Sequence, residues 1–188
     1  MGVEPVTKLT YEQFRRLPDD GKLYELVRGD AHLNTAPTTK HQLVLRRLVA
    51  SLDIYLSKKP LGEIFFAPLD VCLSPDTALQ PDLIFVAKAN AAIIKEDYLA
   101  GAPDLVVEIL SPSTTAKDRI VKLPIYAEAG VGEVWFIDPQ AMTIEVFKLQ
   151  GSKYLVEAAL AGPRVLTSTL FPGWELPLPS LFDFRGWF

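Results

Sequence analysis

Apolar positions along the chain recur with two periods, and the two alternate. Behind Thr10, the residues Tyr11, Phe14 and Leu17 fall at three-residue intervals, which predicts a short helix over 10–17 with Thr10 as its N-cap. Residues 23–27 and 31–35 read as the strands of a hairpin turning at Arg28-Gly29-Asp30. Across 38–58, Leu45, Leu48, Val49, Leu52, Tyr55 and Leu56 form one apolar stripe at helical spacing, stopped by Pro60 and Gly62. Strands are expected next at 63–67, 70–73, 81–87 and 104–110. A helix fits 115–129, entered through Ser111-Pro112-Ser113-Thr114, with capping-box spacing between Thr115 and Asp118 and a stop at Gly130 or Gly132. Pro124 lies inside that helix and is expected to kink it just after Lys122. Residues 133–137 and 143–149 form a second hairpin about Asp138-Pro139-Gln140, and 153–160 and 164–167 are further strands. The aromatic, proline-rich tail 171–188 is expected to pack over the core. The succession of helix, hairpin, long helix, strands, helix and strands predicts an α/β or α+β architecture, a mixed sheet with helices against it.

Composition narrows this picture. A chain of 188 residues, 49% hydrophobic and 22% charged, has the balance of one globular domain spanning 1–188. One cysteine, Cys72, rules out an internal disulfide and fits a reducing, cytoplasmic setting. No apolar run is long enough to cross a membrane, and the opening MGVEPVTKLT lacks the basic and apolar regions of a signal peptide. A net charge of −4 makes a general polyanion binder a poor fit, so contact with nucleic acid needs a local basic patch. Lys40, Arg46, Arg47, Lys58 and Lys59 on the long helix, set against Asp53, are one candidate; Lys117, Arg119 and Lys122 form a smaller one. A solvated helix face is the commoner reading of the first group.

The informative residues are acids inside otherwise apolar strands. Glu108 interrupts two apolar faces in the 104–110 strand, and Asp82 shares its face with Ile84 and Val86. Glu25 sits likewise among Leu23 and Val27. A buried lone carboxylate requires a cation, hydrogen-bond donors or a metal, whereas one at a half-solvated strand end requires nothing. Asp118 and Lys122 are four apart on the predicted helix, with Tyr126 four further on, and their spacing alone favours a solvent-facing pair while Ile120 turns toward the core. His41, early in the long helix, either points at a site or caps the edge of the core, with the second reading favoured. Two strand acids and a lysine together suit a hard ion such as Mg2+ or Mn2+. Zinc is disfavoured by the presence of only His32, His41 and Cys72, without HExxH or CxxC. Nucleophile-elbow, Walker A and dinucleotide glycine signatures are absent as well, which leaves carboxylate chemistry or none.

Several long stretches carry a resemblance: YELVRGD (24–30), APLDVCLSPDT (67–77), QPDLIFVA (80–87), GAPDLVVEILSPST (101–114), KDRIVKLPIYAEAGVGEVWFIDP (117–139) and FPGWELPLPSLF (171–182). Through them nearly the whole chain resembles the Uma-type family of putative restriction endonucleases, within the PD-(D/E)xK nuclease superfamily. The resemblance implies a restriction-endonuclease-like core, a mixed central sheet flanked by helices with extra antiparallel hairpins. It implies Asp82 as the metal-bridging aspartate, Glu108 as the second acidic ligand, and the backbone carbonyl of Ile109 completing the coordination of Mg2+ or Mn2+. Leu110 stands where the superfamily has its lysine, so the resemblance makes Lys122, on the next helix, the substitute. Glu25 matches the family's upstream acid, an extra ligand or a group that orients water. Metal-assisted hydrolysis of DNA phosphodiester bonds by a homodimer is the implied activity. Two alternatives stand beside it. One is a catalytically inactive nuclease-fold module acting in nucleic-acid or protein binding; the other is a carboxylate-pair hydrolase such as a glycosidase.

Overall fold

The computed structural model describes residues 8–111 and 115–186. The proposed helix entrance at 112–114 and the last two residues of the tail lie outside the described residues. At the start, α1 (Tyr11–Phe14) is closed by a reciprocal box: Gln13 N–H donates to the Thr10 hydroxyl, and Thr10 N–H donates to the Gln13 side chain at 2.8 Å. Strands β1 (Tyr24–Val27) and β2 (Asp30–Leu33) turn through Arg28 and Gly29, whose φ angles are 50° and 84°. Two positive φ values in a two-residue turn match the right-handed twist of the strands. A side chain at position 29 would also meet Lys8, since a Cβ there lies 2.6 Å from that residue's Cβ.

The long helix α2 (Thr39–Leu56) takes its cap from Thr38, whose hydroxyl accepts from His41 N–H, and buries Val44, Leu45, Leu48, Leu52 and Leu56. Strands β3 (Gly62–Phe66), β4 (Asp70–Ser74), β5 (Thr77–Leu79) and β6 (Leu83–Ala87) follow, then a 3-10 turn (Lys88–Ile93), β7 (Tyr98–Ala100) and β8 (Leu105–Ile109). Next come α3 (Thr115–Lys117), a π turn (Asp118–Lys122) and α4 (Leu123–Ala129), closed by Gly130 at φ 86°. The chain ends with β9 (Glu133–Asp138), β10 (Thr143–Gln150), β11 (Lys153–Ala161), β12 (Val165–Leu166), β13 (Leu176–Pro177) and α5 (Leu178–Leu181).

The mixed α+β architecture expected from the pattern is present, and its strands form two mixed sheets and a two-stranded ribbon of β12 and β13. The larger runs β11-β10-β9-β8-β6-β3, with β8 and β9 parallel and joined by the α3–π–α4 crossover. The smaller runs β2-β1-β5-β4-β7, with β4 and β7 parallel. Its β5 and β7 are three-residue strands that the sequence pattern did not announce. On one face of the six-stranded sheet, Leu83, Phe85, Val107, Ile109 and Trp135 pack against α2 and the tail residues Phe171, Trp174, Leu178 and Leu181. On the other face, Val106, Val134 and Phe136 pack against Ile125 and Tyr126 of α4.

Three expectations change. The helix at 115–129 is not regular: the N–H of Leu123 reaches the carbonyl of Asp118, five residues back, which makes a π turn directly ahead of Pro124. Thr115 forms no capping box; it lies inside the helix, and its hydroxyl donates to the Ser111 carbonyl at 2.7 Å. The basic stripe of α2 is largely an internal tie. Arg47 donates to the Leu181 and Asp183 carbonyls, Lys59 donates to that of Pro172, and Lys40 and Arg47 lie over the Phe184 ring. No helix among the described residues is long and apolar enough to cross a membrane.

Candidate functional site

Strand register brings the two strand acids together. Leu83 pairs with Val107 and Ile84 with Val106, so Asp82, just before β6, falls beside Glu108 of β8. Alternation of side chains then places both acids on the face that carries Ile84 and Val106. Asp82 has a partner beside each oxygen: Ile109 N–H donates to Oδ2 at 2.6 Å, and His41 Nε2 lies 3.0 Å from Oδ1. Ile109 thus meets Asp82 through its amide. Glu108 accepts from Lys122 Nζ at 3.0 Å and from the Tyr126 hydroxyl, and both bonds fall on Oε1.

Glu25 enters from the other sheet. Pairing of β1 with β5 sets it above Gln80, whose N–H donates to its Oε1 at 3.0 Å. Lys122 Nζ lies 2.9 Å from the same oxygen, and Lys117 Nζ lies 2.7 Å from Oε2. Lys122 also reaches Asp118 Oδ1 at 3.5 Å. Distant parts of the chain therefore converge: the ends of β6 and β8, the middle of β1, the first turn of α2, and the α3–π–α4 segment. A cavity of about 250 Å3 opens among them, lined by Glu25, His41, Asp82, Glu108, Asp118 and Lys122. Neutral side chains, among them Leu23, Asn34, Thr35, Pro37 and Gln42, line the remainder.

Spacing alone favoured the wrong side for Asp118, Lys122, Ile120 and His41 and left Glu25 open. Glu25 is 1% exposed, so of its two readings the buried acid that needs partners holds. Asp118 and Lys122 are buried and not a solvent-facing pair, while Ile120, expected toward the core, is 74% exposed. His41 reaches the site and does not merely cap the core edge. For Asp118, Ile120 and Lys122 the reason is shared. The helix docks on the sheet through charges that the strand acids satisfy, and helical spacing carries no record of those distant partners. Lys117, Tyr126 and Gln80 also belong to the cluster. The polar stripe Asp118, Lys122, Tyr126 was the readable signal for part of it. His32, on β2, is exposed and lies apart.

Electrostatics follow from burial. Burial opposes ionisation of Glu108, and the nearby Asp118, Asp82 and Glu25 add to it, so its pKa is pushed up to about 8 despite the pull of Lys122. Burial likewise opposes the charge of Lys122, but Glu108, Glu25 and Asp118 outweigh it and hold the ammonium protonated. Glu25 is opposed by burial, yet Lys122 and Lys117 together keep its pKa below the ordinary value. Burial and Glu108 raise the Tyr126 hydroxyl well above its usual range, so it donates as a neutral phenol.

The donor set fits a hard divalent ion in one particular way. Among the described residues no three His, Cys, Asp or Glu side chains converge as an ion-binding group. Asp82 and Glu108 offer two carboxylates, each with a lone pair beyond those its hydrogen bonds use. Mg2+ takes few protein ligands of this type and keeps several waters, whereas a structural zinc site needs four soft or imidazole ligands.

Comparison with known proteins shows what the chain is similar to. A family model described as "Uma2: Putative restriction endonuclease" matches residues 11–179. No curated protein matches the chain. Among solved structures, the chain is similar to one described as a putative nuclease belonging to DUF820 from Anabaena variabilis. The two are 20% identical, the match covers 94% of this chain and 98% of that one, and the TM-score is 0.77. At that identity the likeness establishes a shared fold.

Proposed function

Because the chain belongs to the Uma2 family of putative restriction endonucleases, we propose that it is a metal-dependent nuclease that hydrolyses DNA phosphodiester bonds at the cavity between its two sheets. The observation that carries this reading is the meeting of Asp82, Glu108 and Lys122 on one side of the six-stranded sheet, inside one cavity. The cluster contains four carboxylates, Glu25, Asp82, Glu108 and Asp118, against two lysines, Lys117 and Lys122. A buried excess of negative charge is a poor host for phosphate and a good one for a divalent cation.

Asp82, Glu108 and the Ile109 carbonyl would hold the ion. Bound there, Mg2+ or Mn2+ supplies polarisation of the scissile phosphate and a water of lowered pKa. Lys122 contributes a permanently protonated Nζ, held in place by three carboxylates, that stabilises negative charge developing on the phosphate oxygens. Glu25, whose two oxygens are taken by Lys122, Lys117 and the Gln80 N–H, acts through the lysines and not as a ligand. Tyr126 donates to Glu108 Oε1 and thereby leaves Oε2 for the ion.

The test is cleavage of duplex and single-stranded DNA with Mg2+ or Mn2+, wild type beside Asp82→Ala and Lys122→Ala. Metal-dependent cutting that Asp82→Ala abolishes and Lys122→Ala reduces by about a hundredfold or more is the expected result. Equal cutting by wild type and Asp82→Ala would assign the activity to a contaminant. Tight binding without hydrolysis in any metal would replace this reading with that of an inactive nuclease-fold binding module.

A further inference from the structure

Asp82 is the acid through which the proposed chemistry runs, and its two oxygens are held by different means. Oδ2 is fixed by a backbone N–H, that of Ile109. Oδ1 has one side chain beside it, His41, whose Nε2 lies 3.0 Å away and which stands in the first turn of an 18-residue helix capped by Thr38. One anchor leaves a carboxylate free to turn about its Cβ–Cγ bond, whereas two anchors set its plane.

Packing does not explain a histidine at this position. His41 is 6% exposed and sits one turn before Leu45, on the helix face that packs into the core. With Nε2 directed at Asp82, the other ring nitrogen, Nδ1, is sealed from water and has no hydrogen-bond partner. A methionine would fill comparable space without an orphaned polar atom. The group persists at some expense to the fold, which is the mark of a residue kept for geometry.

We propose that His41 is a positioning residue: its Nε2–H sets the plane of the Asp82 carboxylate so that the remaining lone pair on each oxygen is presented to the divalent ion. This rests on the metal-dependent reading above. It reverses the commoner arrangement, in which a carboxylate orients a metal-binding histidine. Asp82 would be the ligand and His41 the group behind it.

The experiment is Mn2+ titration of the full chain by calorimetry, with thermal unfolding of the metal-free protein alongside. Three proteins are compared: wild type, His41→Met, which keeps bulk without a donor, and His41→Gln, whose amide nitrogen lies the same number of bonds from Cβ as Nε2. His41→Met is expected to weaken Mn2+ binding by about 10- to 100-fold, with a metal-free melting temperature equal to or above that of wild type. His41→Gln is expected to restore most of the affinity. If His41→Met does not fold, His41→Gln against His41→Asn gives the same comparison, because the shorter amide does not reach Oδ1 and should bind weakly. Wild-type affinity in His41→Met, or equal loss in the Gln variant and its comparison partner, would overturn the positioning role while leaving the metal site standing. Absence of Mn2+ binding by wild type itself would bring down the metal-dependent reading, and this inference with it.

Discussion

Glu108 and Lys122 face each other at 3.0 Å with almost no water around either, and the two charges fare differently. Lys122 has three carboxylates about it, so burial does not remove its proton. Glu108 has one lysine and three like charges, so burial prevails and its pKa rises to about 8. A carboxyl whose folded-state pKa lies above its unfolded value adds stability below the unfolded pKa, and that stability is lost as pH rises through the folded one. The metal-free protein should therefore lose melting temperature between about pH 5 and pH 9 through this group, and Glu108→Gln should flatten that slope. Scanning calorimetry across the range checks it; an unchanged slope in Glu108→Gln would mean that another group titrates. Glu25 works in the opposite sense. Its pKa is held below the ordinary value against the effect of burial, so its contribution is present above the carboxylate range and disappears toward acid.

The element that aims these charges is the π turn ahead of Pro124. Proline offers no N–H to the preceding turn, and the helix accommodates this by widening one turn, with Leu123 N–H bonded to the Asp118 carbonyl. Asp118 and Lys122 then face the cavity while Ile120 faces outward. Pro124→Ala restores a donor and favours an ordinary α-helical turn, which re-aims Asp118 relative to Lys122. The fold should remain intact by circular dichroism, and the metal-dependent cleavage rate should fall on the order of a hundredfold, as a displacement of about 1 Å does. Full activity in Pro124→Ala would show that the wide turn plays no part in aiming Lys122. The neighbouring hairpins were easier to anticipate. Arg28-Gly29 closes one through turn chemistry, and Asp138 Oδ1 closes the other by accepting the N–H groups of Gln140 and Ala141.

At the scale of the whole molecule, the aromatic core and the Glu108–Lys122 side of the candidate site lie on opposite faces of the six-stranded sheet. Phe171 is fully buried and packs edge-on against Phe85, Trp135 and Trp174, on the α2 side. Phe171→Ala should destabilise the protein by about 3–5 kcal/mol, read from urea unfolding. Below its melting transition the variant should still bind Mn2+ like wild type, because Glu108 and Lys122 lie on the other side. A parallel loss of Mn2+ affinity would show that the two faces are coupled. The same division accounts for two basic residues, one on α2 and one just after it. Arg47 and Lys59 hold the tail in place by its backbone carbonyls, so they serve the core more than any phosphate.

Local rules made most of the elements readable: the stripe from Leu45 to Leu56, the cap at Thr10, the turn at Gly29 and the strands around Asp82 and Glu108 all express backbone geometry within a few residues. Those rules also exposed the acids in apolar strands as residues in need of partners. Which partners they found was decided only when the chain folded. Lys117 meets Glu25 across 92 residues, and Lys122 meets Glu108 across 14. His41 comes to Asp82 from a helix packed on the far side of the sheet. Periodicity fixes which face of an element a residue occupies. Strand register and helix docking fix what that face meets, and a buried charge takes its properties from what it meets.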